Sequence, residues 1–75
     1  SKLANITLHL FRRFLEYKGL TYVRSNHGHE DWSMPHLERP VVFQTHIEPI
    51  PEDILIKNLH LIGSNRDEFI DFLDR

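Results

Sequence analysis

Leu20-Thr21-Tyr22-Val23-Arg24-Ser25-Asn26-His27-Gly28-His29-Glu30-Asp31-Trp32-Ser33-Met34 is the stretch that decides the fold. Its first five residues favour a strand through their β-branched and aromatic types, Ser25 to Gly28 reads as a turn, and His29 to Met34 is strand-like again. Together they specify a β-hairpin. A three-residue loop with Gly28 in the left-handed conformation sets Ser25 opposite His29. Counting outward pairs Tyr22 with Trp32 and Leu20 with Met34. Those large apolar groups mark one face as the core side, and Thr21, Val23, His29, Asp31 and Ser33 fall on the other.

Working outward toward the N-terminus, Leu3, Ile6, Leu10, Phe14 and Tyr17, flanked by Phe11 and Leu15, recur at helical spacing, while Arg12, Arg13 and Glu16 fall elsewhere. An amphipathic helix is expected over 3–18, stopped by Gly19. Beyond the loop from Pro35 to Pro40, Val41-Val42-Phe43-Gln44-Thr45-His46 makes a third strand with Val41 and Phe43 toward the core. Val42, Gln44 and His46 then share the open face with His29, and antiparallel pairing puts His29 and His46 at the same end of the sheet. Pro49 and Pro51 end the sheet. Pro51 suits the first turn of a helix with Glu52 and Asp53 at its positive end, Leu55, Leu59 and Ile62 on one face, and Gly63 as its stop. Ser64 is the expected cap of a last helix carrying Phe69, Ile70, Phe72 and Leu73. The expected architecture is a single α+β domain over 1–75, in the order α-β-β-β-α-α.

A chain of 75 residues has room for one modest core, and 40% hydrophobic with 27% charged residues places it among globular chains. There is no cysteine, so no disulfide can staple the fold, and no signal-like or membrane-length apolar run is present; a cytoplasmic location is expected. The formal charge of -2 is the wrong sign for gripping a polyanion by net charge, so any such partner must be held by a local patch. Six histidines are the outlying feature, because histidine is the side chain whose ordinary pKa falls near neutrality.

The open face holding His29, His46, Asp31 and Gln44 has what acid–base chemistry needs: a group that titrates near pH 7, polar neighbours and access for a substrate. Arg24 and Arg39 are near enough to hold a phosphate, although a cross-strand pair of Arg24 with Glu30 is the plainer reading. His27, His29, His36 and His46 with Glu30 and Asp31 are conceivable metal ligands. The chain has neither Cys nor a His-Glu-x-x-His motif, and no metal or other cofactor is assigned. His9 and His60 read as boundary histidines on helices, and Tyr22 and Trp32 as core aromatics more than as base-stacking platforms.

Taken in order, Tyr17-Lys18-Gly19, Tyr22-Val23-Arg24, Gly28-His29-Glu30-Asp31-Trp32, Arg39-Pro40-Val41-Val42-Phe43-Gln44-Thr45-His46 and Lys57-Asn58-Leu59 through Gly63 to Glu68-Phe69 resemble the HicA toxins of bacterial toxin–antitoxin pairs. The resemblance covers roughly Phe11 to Leu73. It implies a fold similar to the double-stranded RNA-binding domain and a metal-independent endoribonuclease, an mRNA interferase, held inactive by a HicB-like antitoxin. The family's catalytic histidine opens the second strand. His29 matches it, with Trp32 at the family's spacing, and His27 is the competing position. On this reading His29 and His46 carry the catalysis, and Arg24, Arg39, Lys57 and His27 contact RNA. The rival readings are a non-catalytic RNA-binding module on the same fold and a histidine-rich metal-binding domain.

Overall fold

Thr7 starts the first helix. Its hydroxyl accepts a hydrogen bond from the Leu10 amide at 3.1 Å, an N-cap that leaves α1 as Leu8–Tyr17. The computed structural model in which this is seen describes residues 2–75. The helix expected over 3–18 is therefore shorter at its start. Leu3 and Ile6 are buried all the same, from the turn before the cap; their periodicity signalled burial and not helix.

Three strands, β1 (Thr21–Asn26), β2 (His29–Ser33) and β3 (Val41–Gln44), form an antiparallel sheet in the order β1-β2-β3. The hairpin turn has two residues and not three. His27 and Gly28 both take positive φ, 52° and 79°, the pattern of a type I′ turn, and His29 faces Asn26 and not Ser25. A bulge between Tyr22 and Arg24 then absorbs one residue of β1 and restores the expected partnership of Tyr22 with Trp32. β3 ends at Gln44, so His46 lies just past the sheet.

Helices α2 (Glu52–Leu61) and α3 (Arg66–Leu73) close the chain, giving the expected α-β-β-β-α-α order. Gly63, at φ 74°, turns the chain so that its own amide and that of Ser64 bond back to His60 and Leu59. Ser64 thus belongs to the end of α2, and Asn65 caps α3 in its place, accepting from the Glu68 amide at 2.9 Å. The hydroxyl of Ser64 donates to the Glu68 carboxylate.

One face of the sheet is roofed by helix. Trp32, Val41 and Phe43 are buried against Phe11, Phe14, Leu55, Leu59 and Phe69. Phe11 meets Phe43 edge-on at 5.2 Å and Phe14 meets Phe69 at 4.9 Å, arrangements that aromatic pairs prefer. Tyr22 departs from its expected place in this core. It is 52% exposed at the sheet margin, edge-on to Trp32 at 6.1 Å, with its hydroxyl 2.8 Å from that of Ser25. The radius of gyration, 11.5 Å, is close to the ~11 Å of one compact domain of this length. Among the described residues no helix is long and apolar enough to cross a membrane.

Candidate functional site: a groove between β3 and α2

Register decides which side chains face the groove. The Thr45 amide bonds to the Gly28 carbonyl at 2.9 Å, so Gly28 and Thr45 are a hydrogen-bonded pair. Alternation along the ladder then makes His29 with Gln44, and Asp31 with Val42, the closer pairs without mutual backbone bonds. Two consequences follow. His29, Asp31, Val42 and Gln44 project from the open face, as their burial pattern confirms, and the backbone groups of Val42 and Gln44 point outward from the edge of the sheet. Asn58 of α2, itself buried, reaches that edge and donates to the Val42 carbonyl at 3.5 Å.

Between this edge and α2 runs a groove made of two adjoining clefts. The first, about 450 Å³, is lined by His29, Val42, Phe43, Gln44, Ile47, Pro51 and Ile54. The second, about 230 Å³, shares Val42 and Ile54 and adds Arg39, Pro40, Lys57, Asn58 and Leu61. The wall at Ile47 and Pro51 is held from three sides. Thr45 donates to Gly28 through amide and hydroxyl, the Glu48 carboxylate accepts from the Leu8 amide at 2.6 Å, and the Ile50 amide bonds to Ile6 at 2.9 Å. The groove is thus preformed.

His29 sits at one end of it, with Nδ1 3.3 Å from the His27 carbonyl. A carbonyl can only accept, so in this contact Nδ1 is the donor, and in the neutral ring Nε2 then carries the lone pair. His46 lies beside the same turn. A Cβ built on Gly28 would stand 2.9 Å from its ring, so glycine at 28 serves both the positive φ and the close approach of this imidazole.

The sequence-predicted residues divide. His29 lines the first cleft and Arg39 and Lys57 the second, while His46 lines neither and stands beside Gly28 of the turn. His27 occupies the turn and is exposed, and it contributes a backbone carbonyl to His29. Arg24 projects from the same sheet but is engaged by Asp31 at 3.2 Å. It does not pair with Glu30, as the three-residue loop would have it, because the shorter turn sets it opposite Asp31, on the hairpin side of the bulge. Glu30 faces the core side, buried, gripped by Arg12 at 2.8 and 3.0 Å and by the Trp32 indole at 2.7 Å. These bonds, Arg12 first, hold its carboxyl below the usual carboxylate range against the opposing effect of burial. Among the described residues no three His, Asp or Glu side chains converge in a way that could hold a metal ion. His9 and His60 are exposed on the outer helix surfaces.

Charge pairing picks out the far end of the groove. Lys2, Arg12, Arg13, Lys18, Arg24 and Arg66 each face a carboxylate, and Arg75 lies over the Tyr17 ring. Among the described residues Arg39 and Lys57 are the cations with no such partner, and both line the second cleft. Sequence reasoning named these two, but only the three-dimensional pairing separates them from the other seven. Compared with protein-family models, with curated proteins and with solved structures, the chain finds no match in any of the three.

Proposed function

We propose that this chain is a HicA-like, metal-independent endoribonuclease toxin, cutting mRNA and restrained by a HicB-like antitoxin that covers the groove. The observation that carries the reading is the groove itself, with a histidine at one end and the two unpaired cations at the other. An RNA strand lying along it brings a 2′-hydroxyl to His29, whose Nε2 takes the proton as the 2′-oxygen attacks the adjacent phosphorus. The 5′-oxygen leaves with a proton from His46 or from water, and a cyclic phosphate remains. Arg39 and Lys57, in the second cleft, hold neighbouring backbone phosphates and so keep the strand in place over His29. DNA lacks the attacking hydroxyl and is left uncut.

The test is cleavage of one RNA by wild type and by His29→Ala, His27→Ala and His46→Ala, in the presence of a chelator, with circular dichroism as the folding control. Folded His29→Ala should lose about a hundredfold to ten-thousandfold in rate. Undiminished cleavage by that variant overturns the assignment. Loss confined to His27→Ala moves the site to the turn, and RNA binding without cleavage by wild type selects a non-catalytic module.

A further inference from the structure

The first cleft carries a specific expectation about its occupant. Its walls are Val42, Ile47, Pro51 and Ile54, and three of these are large apolar side chains left exposed, at 41%, 45% and 37% for Val42, Ile47 and Ile54. These apolar walls themselves offer a phosphate no cation. Glu52 and Asp53 begin α2 next to Pro51, and both unpaired cations lie in the second cleft. The floor is the outer edge of β3, where the ladder alternation leaves the amide and carbonyl of Gln44 without strand partners. An incoming peptide strand cannot extend along that edge, because Asn58 already occupies the Val42 carbonyl. What fits is a flat, mostly apolar group with donors and acceptors on its rim, attached to an anionic chain that leads toward Arg39 and Lys57.

We propose that the cleft formed by Val42, Ile47, Pro51 and Ile54 seats one unstacked nucleobase of single-stranded RNA, its rim meeting the Gln44 backbone and its phosphates running to Arg39 and Lys57. This rests on the ribonuclease reading and adds to it. Cleavage is confined to single strands, since a paired base cannot turn its face into the cleft, and the seated base is the one whose ribose lies at His29. The length available agrees: from Gln44 back to Pro40 the strand runs roughly 13 Å at ~3.3 Å per residue, room for a sugar–phosphate link between the two ends.

The experiment follows the Ile and Val methyl groups of the wild-type protein by NMR during titration with adenosine 3′-monophosphate, ribose 5-phosphate or inorganic phosphate. The nucleotide should shift the methyls of Ile47, Ile54 and Val42 through the ring current of its base. The two phosphates without a base should move only amides near Arg39 and Lys57. Ile47→Ala, at a half-exposed position that lines the first cleft and not the second, should weaken nucleotide binding about fivefold, a part of the usual value of one stacked base, and leave ribose 5-phosphate binding unchanged. Nucleotide binding that spares these methyls, in a protein that still cleaves RNA, overturns the base site alone. Absence of both cleavage and RNA binding overturns the ribonuclease reading with it. Methyl shifts that arise on concentrating the protein without nucleotide would show a second copy filling the cleft and would equally overturn the proposal.

Discussion

Replacing Glu30 by Gln tests the device that keeps His29 on the open face. Side chains alternate along β2, so a slip of one residue would carry His29 into the core and Glu30 out of it. Glu30 opposes such a slip by tying β2 to α1. Its carboxylate takes two bonds from the Arg12 guanidinium, at 2.8 and 3.0 Å, and one from the Trp32 indole at 2.7 Å. Bonds to a charged group contribute about 1.5–3 kcal/mol each, but the sum overstates the loss. Gln keeps one acceptor oxygen, the cost of burying a charge disappears, and Arg12, whose side chain is 35% exposed, recovers water. The net expectation is a loss of about 2–3 kcal/mol, lowering Tm by roughly 10–20 °C in a domain of this size.

The same residue fixes a pH dependence. Because the folded carboxyl of Glu30 is held below its ordinary value, its contribution is complete above the unfolded carboxylate pKa of about 4.3 and fades as the pH falls through the lower folded value. Urea unfolding followed through Trp32, the single tryptophan, should show the full difference between wild type and Glu30→Gln at neutral pH and a shrinking one below about pH 4. A loss under ~0.5 kcal/mol, or one that stays constant into acid, would refute the reasoning. Where both proteins are folded, RNA cleavage per molecule should be equal, because Glu30 positions the strand and touches no substrate.

Gly28→Ala should cost about 1–2 kcal/mol for a left-handed alanine and should also lower cleavage, since its Cβ would stand 2.9 Å from the His46 ring; in a His46→Ala background the stability loss should remain and the extra activity loss vanish, and an activity loss that persists there would show that the turn acts in another way. For RNA binding against salt, Arg39→Gln and Lys57→Gln should each reduce the slope of log affinity on log salt by ~0.7, while Arg24→Gln, already paired with Asp31, should leave it nearly unchanged. An equal effect of Arg24→Gln would place the phosphate path over β1 and not along the groove.

The hairpin shows why part of this site was legible in the sequence. Two local features were misread, the length of the turn and the continuity of β1, yet Tyr22 still faces Trp32 because the bulge at Val23 compensates for the shorter turn. Polar and apolar alternation in β2 and β3 then placed His29, Val42 and Gln44 on the open face correctly. The turn was misjudged because it needs positive φ at a histidine, a conformation that sequence rules assign readily to glycine and less so to His27. The start of α1 was misjudged for another reason: Leu3 and Ile6 keep helical spacing while being buried from a turn, and Thr7 was the signal that could have corrected it. The partner of Glu30 lies on a helix 18 residues away, a separation at which only packing shows that Arg12 arrives.

Net charge was the feature least informative about the site, and the reason is structural. Most of the cations are engaged within the fold, where Asp31, Glu30, Glu52, Glu68, Glu16 and Asp74 each take one. The cations an approaching strand meets in the groove are therefore Arg39 and Lys57. Two cations release few counterions, a salt slope on the order of 1.4 for a single strand, and such a contact alone would hold RNA weakly. A chain of this charge can act on RNA only if a second source of binding lies close to the reacting histidine and does not depend on salt. On the proposed reading the apolar cleft beside His29 is that source, and it divides the work along the groove: cations for the backbone at one end, a seated base and the imidazole at the other.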